Sequence, residues 1–290
     1  MPALTDIEAT ELFRQPPDDY IGCDTGEIAY RRVGSGPDVL FVPGWPVSGA
    51  TFRSLLPHLV DHVTCHLIDM PGMGSSRFAD DAPLTITSQM EAVTTVVDQL
   101  GFESVAVVGN DSGGLISRHV LAGDNRLRAM GLIGTEQPQG LSARFKFFLA
   151  PRNLPGFGAT LGWVTGKPRI RRHALLFGDA FHDRDVIDGG FDEFFLAPLN
   201  SEPRRLKAAM KLLKSFDAAH VEQLGEIHQW IDVPVRLVWG ENDKFFPVDL
   251  AREMVGTFPN ADIVVIPEAG LFVHEEQPDQ VAEALLGVLK

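Results

Sequence analysis

The chain has 290 residues, and its 25 Lys and Arg against 39 Asp and Glu give a formal net charge of −14 at pH 7. This acidic balance disfavours nucleic acid and anionic membranes as partners. Apolar residues make up 44% and charged residues 22% of the chain, a globular composition that excludes a disordered or collagen-like protein.

Short β-branched runs alternate with longer amphipathic stretches, which is the pattern of strands and helices arranged around one sheet. Strands are predicted at residues 27–33, 39–42, 63–68, 105–108, 130–133, 235–239 and 263–266. Helices are predicted at residues 85–100, near 248–258, and from residue 278 onwards. This order indicates an α/β fold with a long segment inserted before the strand at 235–239.

The inserted segment, residues 139–228, differs in composition from the rest of the chain. Its net charge is slightly positive, whereas the rest of the chain is acidic, and it is rich in phenylalanine. Such a shift predicts a separate lobe that could cover an apolar cavity where it meets the sheet. We therefore expect a core domain, residues 1–138 and 229–290, and a helical cap, residues 139–228.

The N-terminal segment and the cysteines bear on location and on metal binding. Residues 1–8 are acidic and lack the basic and apolar regions of a signal peptide, and no apolar run reaches the roughly 18 residues that span a bilayer. Cys23 and Cys65 are too few for a disulfide framework or a cysteine-based metal cluster. We expect a cytoplasmic protein, monomeric or homodimeric, with no cofactor and no metal.

The sharpest motif is Gly109-Asn110-Asp111-Ser112-Gly113-Gly114, in which a predicted strand passes through small residues into a helix. This is the pattern of a nucleophile elbow, a turn so tight that the residues two before and two after the nucleophile must be small. Asp111 has glycine at both of these positions, whereas Ser112 has asparagine at one. The spacing favours Asp111 as the nucleophile, with a serine esterase based on Ser112 as an alternative.

With three further landmarks in the same order, the chain resembles the α/β-hydrolase superfamily. These landmarks are Pro43-Gly44-Trp45-Pro46, the acidic and glycine-rich residues 69–76, and Trp239-Gly240-Glu241-Asn242-Asp243. The resemblance is closest to the branch with an aspartate nucleophile, which contains haloalkane dehalogenases, fluoroacetate dehalogenases and epoxide hydrolases. It covers nearly the whole chain, and it implies a mostly parallel eight-stranded sheet flanked by helices, with a helical cap inserted after the sixth strand. Pro43 departs from the family pattern, which has histidine there.

An aspartate nucleophile restricts the substrate. A carboxylate with an ordinary pKa of ~3.9 is already ionised at neutral pH and needs no base before it attacks. Its attack on an ester carbonyl gives an anhydride that reverts, whereas displacement at a saturated carbon gives a stable alkyl ester. We therefore expect a small apolar electrophile, an alkyl halide or an epoxide, and a second step in which a base activates water to hydrolyse the ester.

The resemblance also implies roles for residues around Asp111. The backbone N–H groups of Trp45 and Ser112 are expected to hold the oxyanion. The acid that orients the catalytic base is Asp243, after the seventh strand, or Glu136, after the sixth. Members of the branch use either position, and we prefer Asp243.

The family places its catalytic histidine after the last strand, where this chain has Leu271. Three interpretations remain open. In the first interpretation, Leu271 is an engineered substitution that leaves the attack on the substrate intact and stops hydrolysis of the alkyl-enzyme ester. Alternatively, His274 has taken over the role, although it lies about one helical turn further on and is expected to face away from Asp111. In the third interpretation the protein is a non-catalytic binding or sensing protein on a hydrolase scaffold.

The leaving group separates dehalogenases from epoxide hydrolases. Epoxide hydrolases hold the ring oxygen with two cap tyrosines, whereas Tyr20 and Tyr30 lie far upstream of the cap. Haloalkane dehalogenases bind the halide with a tryptophan just after the nucleophile, where this chain has Ser112, and with a second side chain at the position of Trp45. Two more tryptophans are candidates: Trp163 and Trp230. We expect dehalogenation, with epoxide opening as the alternative.

Overall fold

A computed structural model describes residues 4–290, so the first three residues of the acidic N-terminal segment lie outside the described residues. Within residues 4–290, nine strands form one sheet. They are β1 (Asp19–Cys23), β2 (Gly26–Gly34), β3 (Asp38–Val42), β4 (Thr64–Asp69), β5 (Arg77–Phe78), β6 (Val105–Asn110), β7 (Leu127–Ile133), β8 (Val235–Gly240) and β9 (Ala261–Ile266).

The strands lie in the order β1-β2-β4-β3-β6-β7-β8-β9, and the two-residue β5 pairs with β2. β2 is antiparallel to β1, β4 and β5, whereas the neighbours from β4 to β9 are parallel. Every residue of β4 and β6 is buried, as expected for parallel strands that are covered on both faces. The prediction of a mostly parallel α/β sheet is confirmed, and β5 adds one short strand to the eight that the resemblance implied.

The helices follow the strands in the order of the sequence. They are α1 (Asp6–Arg14), α2 (Leu56–Leu59), α3 (Ile86–Gln99), α4 (Ser112–Leu121), α5 (Ala143–Leu149), α6 (Phe157–Thr165), α7 (Pro168–Arg171), α8 (Ala197–Ser201), α9 (Pro203–Ser215), α10 (Ala218–Glu222), α11 (Leu224–Ile227), α12 (Val248–Val255), α13 (Val273–Glu276) and α14 (Pro278–Leu289). Short 3₁₀ segments lie at Gly49–Leu55, Ala150–Asn153, Gly178–Ala180, Arg184–Asp188 and His228–Trp230, and a π-helical turn lies at Asp192–Leu196. None of the helices within residues 4–290 is long and apolar enough to cross a membrane.

Local sequence signals explain where α3 begins and ends. The side chain of Thr85 accepts a hydrogen bond from the backbone N–H of Ser88, whose own hydroxyl receives the Thr85 N–H, so both groups cap the first turn. Gly101 follows the last turn with φ +64, a left-handed conformation that suits glycine. The helix lies within one residue of the range predicted from the sequence at each end.

The segment between β7 and β8 contains α5 to α11, and all seven helices lie inside residues 139–228. The division of the chain into two domains stays a prediction. The two cysteines differ in their surroundings, since Cys65 is buried and Cys23 is half-buried. Burial raises the pKa of the Cys65 thiol to about 12.

Candidate active site

Asp111 lies at the turn between β6 and α4 and has a strained backbone. Its φ of +49° and ψ of −134° fall in a backbone region that residues other than glycine rarely adopt. Ser112 is already the first residue of α4. The strain of the elbow therefore falls on the aspartate and not on the serine.

The glycines on either side of Asp111 are required by close backbone contacts. A Cβ atom at Gly109 would lie 2.6 Å from a backbone atom of α4, and one at Gly113 would lie 2.1 Å from the carbonyl oxygen of Val42. Asn110, in contrast, has a buried side chain that donates a hydrogen bond to a carbonyl of β7. The positions that must be small are those two residues before and two after Asp111, as the steric rule for the elbow requires.

The loop that precedes Trp45 packs directly against the side chain of Asp111. The backbone N–H of Trp45 donates to Asp111 Oδ2 at 2.9 Å and to Ser112 Oγ at 3.1 Å. A Cβ atom at Gly44 would lie 2.5 Å from both Cβ and Oδ2 of Asp111. Glycine at this position therefore leaves room for the Asp111 carboxyl group to pack against the loop. Sequence reasoning assigned no role to Gly44, although it lies in the quoted Pro43-Gly44-Trp45-Pro46 motif.

One cavity brings together Asp111, Ser112, Glu136, Trp45 and Leu271, and it encloses about 650 Å³ with its opening to solvent included. Besides Trp45, its lining residues with polar side chains are Asp111, Ser112 and Glu136. Apolar side chains from the predicted cap form much of the remaining wall: Phe145, Phe148, Phe177, Leu212, Leu213 and Phe216. A cavity with these walls suits a small apolar molecule that presents one reactive atom to the carboxyl groups.

Glu136 is buried at the end of β7 and is linked to Asp111 through Thr135. The Thr135 hydroxyl lies 2.8 Å from the Asp111 carbonyl oxygen and 3.0 Å from Glu136 Oε2. Arg118 donates to the Glu136 carbonyl at 2.8 Å and to the Thr135 hydroxyl at 2.9 Å. Oε1 of Glu136 has no hydrogen-bond partner among the described residues. The fold therefore places two carboxyl groups against one apolar cavity.

The carboxyl groups of Asp111 and Glu136 both have raised pKa values. Burial raises the pKa of Asp111 well above its ordinary value, the charge of Glu136 raises it further, and hydrogen bonds from Ser112 and Trp45 oppose the rise. Burial also raises the pKa of Glu136, against the nearby Arg118 charge. The sequence argument assumed an ordinary pKa for Asp111, and that assumption is wrong for this buried side chain. The charge of one of these carboxyl groups therefore opposes ionisation of the other.

The side chains of Asp243 and Leu271 both lie next to Gly134. Asp243 Oδ1 accepts the backbone N–H groups of Phe245 at 2.8 Å and Phe246 at 2.9 Å. In the part of the chain that the structure describes, Asp243 Oδ2 is buried and has no hydrogen-bond partner. A Cβ atom at Gly134 would lie 3.3 Å from this oxygen and 3.0 Å from Leu271 Cδ1. A buried carboxylate oxygen thus lies close to an apolar side chain that lines the Asp111 cavity.

The sequence profile of the alpha/beta hydrolase family matches residues 39–284 of this chain. The chain belongs to the α/β-hydrolase family. Its fold, the elbow and the order of its motifs agree with this membership.

Relatives of this α/β-hydrolase include enzymes of different classes. The chain is 25% identical over 259 residues to a pimeloyl-[acyl-carrier protein] methyl ester esterase of Aeromonas hydrophila, which covers 89% of this chain and 97% of that protein. It is 24% identical over 281 residues to haloalkane dehalogenase 2 of Mycobacterium tuberculosis, with 90% of this chain and 91% of that protein covered. The solved structure of the epoxide hydrolase CorEH matches with a TM-score of 0.76 at 20% identity, over 93% of this chain and 97% of that one. The structural match at this identity supports the fold alone.

His274 does not line the cavity of this α/β-hydrolase. Its Nε2 lies 2.7 Å from the Thr51 hydroxyl, and its ring stacks on Phe52 with 5.5 Å between centroids. Burial and the charge of Arg53 lower the pKa of His274 to about 3, so the ring is neutral. The expectation that His274 faces away from Asp111 agrees with this placement, and the structure gives no support to His274 as a replacement base.

The aromatic side chains that were candidates for holding the leaving group are engaged or lie elsewhere. The indole N–H of Trp45 donates to the carbonyl of Ala209 at 2.9 Å. The other two tryptophans are 55% and 66% exposed and do not line the cavity: Trp163 and Trp230. Tyr20 lies on β1, and the hydroxyl of Tyr30 lies 2.7 Å from His66 Nδ1. The suggestion that these tryptophans bind a halide is therefore wrong for Trp163 and Trp230, and the Trp45 indole already has a partner in the cap.

The buried Asp243 should make the stability of this α/β-hydrolase depend on pH. Burial raises the pKa of Asp243 to about 7, against ~3.9 in an unfolded chain. The folded state therefore binds this proton more tightly, and stability from this group is present below pH ~4 and is lost as pH rises towards 7. Asp243→Asn carries no such charge, so its free energy of unfolding relative to the wild type should rise by a few kcal/mol between pH 5 and pH 8.

Urea unfolding of both proteins at pH 5 and pH 8 measures this difference. Asp249→Asn is a matched control, because the Asp249 side chain is 86% exposed and its change should give the same small effect at both pH values. An equal effect of Asp243→Asn at pH 5 and pH 8 would contradict the raised pKa.

Proposed function

We propose that this α/β-hydrolase uses Asp111 to displace a leaving group from a saturated carbon of a small apolar electrophile. The observation that supports this proposal most is the position of Asp111. It combines the strained elbow backbone with a carboxyl group that lines the cavity and is held by the backbone N–H of Trp45. A dehalogenase among the relatives and an epoxide hydrolase among the similar structures are compatible with this chemistry.

The proposed first step forms an ester on Asp111. One carboxylate oxygen bonds to the substrate carbon, and the bond from that carbon to the leaving atom breaks with its electron pair on the leaving atom. The other carboxylate oxygen, Oδ2, keeps the Trp45 N–H and becomes the carbonyl oxygen of the ester. When water attacks this ester, the same N–H is placed to stabilise the oxyanion that forms on Oδ2.

We propose that the second step is slow because Leu271 supplies no base. Asp243 is suited to orient a histidine, yet its Oδ2 lies beside the leucine and accepts no hydrogen bond from residues 4–290. Loss of the base removes the activation of water and leaves the displacement at carbon unaffected. The ester should then persist as a covalent intermediate, as in a histidine-to-leucine variant stalled before hydrolysis.

The predicted cap, residues 139–228, is proposed to select the substrate. Side chains from α5 and α9 form the wall opposite the elbow, and most are phenylalanine or leucine. Their apolar surface favours a substrate without charge, since an unpaired charge would lose its hydration in the cavity. A halide or an epoxide of a short hydrocarbon fits this description.

A non-catalytic binding protein is the second candidate, and one observation favours it. Among the described residues that line the cavity, none is a histidine. Such a protein would bind an apolar ligand without forming a bond to Asp111. Ser112 is a third candidate as an esterase nucleophile, but its hydroxyl also has no histidine beside it in the described part of the cavity.

Intact-mass spectrometry with a panel of bromoalkanes and epoxides tests the proposal. A bromoalkane should add the mass of its alkyl group less one hydrogen, since HBr is lost, and an epoxide its whole mass, and peptide mapping should place both adducts on Asp111. Asp111→Asn should remain unlabelled, whereas the matched variant Ser112→Ala should still be labelled. An adduct on Ser112 would favour the esterase, and tight binding of a panel member without any adduct would favour the binding protein.

A further inference from the structure

Glu136 is the second carboxyl group of the cavity, and the proposed displacement does not use it. Glu136 is 1% exposed and lines the cavity together with Asp111. Its Oε1 is buried and has no hydrogen-bond partner in the described chain. A buried carboxyl oxygen that forms no hydrogen bond is costly unless it is protonated or meets a ligand. Its position next to the nucleophile points to a ligand.

The leaving group needs a donor, and apart from the Ser112 hydroxyl, which accepts the Trp45 backbone N–H, the other described lining side chains supply no free one. The Trp45 indole N–H donates a hydrogen bond to the Ala209 carbonyl, and the Trp45 backbone N–H donates one to Asp111. Tyrosine, histidine, lysine and arginine are absent from the described cavity wall. A halide ion would leave into a cavity without free N–H donors, whereas an alkoxide could take a proton from a carboxylic acid.

We infer that Glu136 is the proton donor to the leaving oxygen when Asp111 opens an epoxide. This inference rests on the proposed function and names its substrate class. An Asp111 oxygen bonds to a ring carbon, the bond from that carbon to the ring oxygen breaks, and the ring oxygen takes the proton of Glu136. The products are a hydroxyalkyl ester on Asp111 and a carboxylate on Glu136, so that atoms and charge balance.

The charged groups around Glu136 agree with this role. Asp111 faces it from the elbow, and burial together with the neighbouring carboxylate keeps one proton on the pair. Arg118 of α4 touches the Glu136 carbonyl and favours the carboxylate that remains after proton transfer. Asp243 lies beside Gly134 and is largely neutral below pH 7. Epoxide opening requires the form of the pair in which the proton is on Glu136 and Asp111 is ionised.

The test compares Glu136→Gln with the wild type, using an epoxide and a bromoalkane of the same carbon skeleton. Single-turnover rates of adduct formation on Asp111 are measured by intact mass from pH 5 to pH 9. For the variant, we expect the epoxide rate to fall about 100-fold or more, because glutamine donates no proton to an alkoxide. The bromoalkane rate at pH 7 should rise, since removal of the Glu136 charge favours ionised Asp111.

The two reagents separate a proton donor from a purely structural residue. In the wild type, the epoxide rate should decrease at high pH while the bromoalkane rate does not, and Glu136→Asp should restore part of the epoxide rate. Equal loss of both rates in Glu136→Gln would overturn the inference, as would an unchanged epoxide rate. Labelling of wild-type Asp111 by bromoalkane but not by epoxide would overturn it and leave the proposed function standing. Labelling by neither reagent would overturn both.

Discussion

Replacement of Leu271 with histidine is expected to turn a protein that accumulates the Asp111 ester into one that releases product continuously. The carboxylate that an imidazole needs is already present, because Asp243 Oδ2 is buried beside Leu271 and receives no hydrogen bond within the described structure. Histidine is close to leucine in size, so the cavity wall should tolerate the change. An oriented base should speed ester hydrolysis by roughly 10²–10⁴-fold. Steady-state release of alcohol or diol, alongside the intact mass, measures the gain.

The double variant Leu271→His with Asp243→Asn is the control for this experiment. Asparagine keeps the shape of the side chain and can still accept the N–H groups of Phe245 and Phe246. It cannot stabilise an imidazolium ion, so most of the gain in turnover should be lost. If Leu271→His forms the ester and still releases no product, the proposed cause of the stalled second step is wrong.

Much of the sheet could be predicted because its signals are local. The strands that became β3 and β6 are short β-branched runs, and burial on both faces allows such runs to be recognised without knowledge of their partners. β1 and α1 were not predicted. β1 contains Gly22 and alternates weakly, and α1 lies in the acidic N-terminal segment, where only Ala9 and Phe13 are buried.

The glycine spacing around Asp111 could be recognised in the sequence, whereas the raised pKa of its carboxyl group could not. The steric rule involves Gly109 and Gly113, which lie two residues from Asp111 in the sequence. The pKa depends first on the burial of Asp111 and then on the charge of Glu136, which is brought to the same cavity by the pairing of β6 with β7. An ordinary pKa is the natural assumption for an isolated motif, and it fails when the side chain is buried next to a second carboxyl group from another strand.

The role of the tryptophans was beyond sequence reasoning for a similar cause. An indole N–H can bind a halide only if no protein group accepts it first. The acceptor for Trp45 is the carbonyl of Ala209, on a helix of the predicted cap that is remote in the sequence. Such a contact is set by how α9 packs on the core, which no local pattern reports. Side-chain partners across elements are therefore the part of the site that needed the structure.

Gly44→Ala is expected to slow ester formation strongly, although residue 44 has no reactive side chain. An added Cβ atom would lie 2.5 Å from both Cβ and Oδ2 of Asp111 and 2.6 Å from the carbonyl oxygen of Asn110, so the loop and the carboxylate must separate. A displacement of the nucleophile by about 1 Å costs on the order of 10²-fold in rate.

The rate of labelling of Asp111 by a bromoalkane should therefore fall by on the order of 10²-fold in Gly44→Ala. Gly22→Ala is the matched control, because within the described chain no atom lies within 4 Å of a Cβ at Gly22, and its labelling rate should equal that of the wild type. Thermal unfolding of both variants shows whether the loss arises in a folded protein. Labelling of folded Gly44→Ala at the wild-type rate would mean that the loop before Trp45 does not position the carboxylate. The reactivity of Asp111 would then depend on the elbow alone.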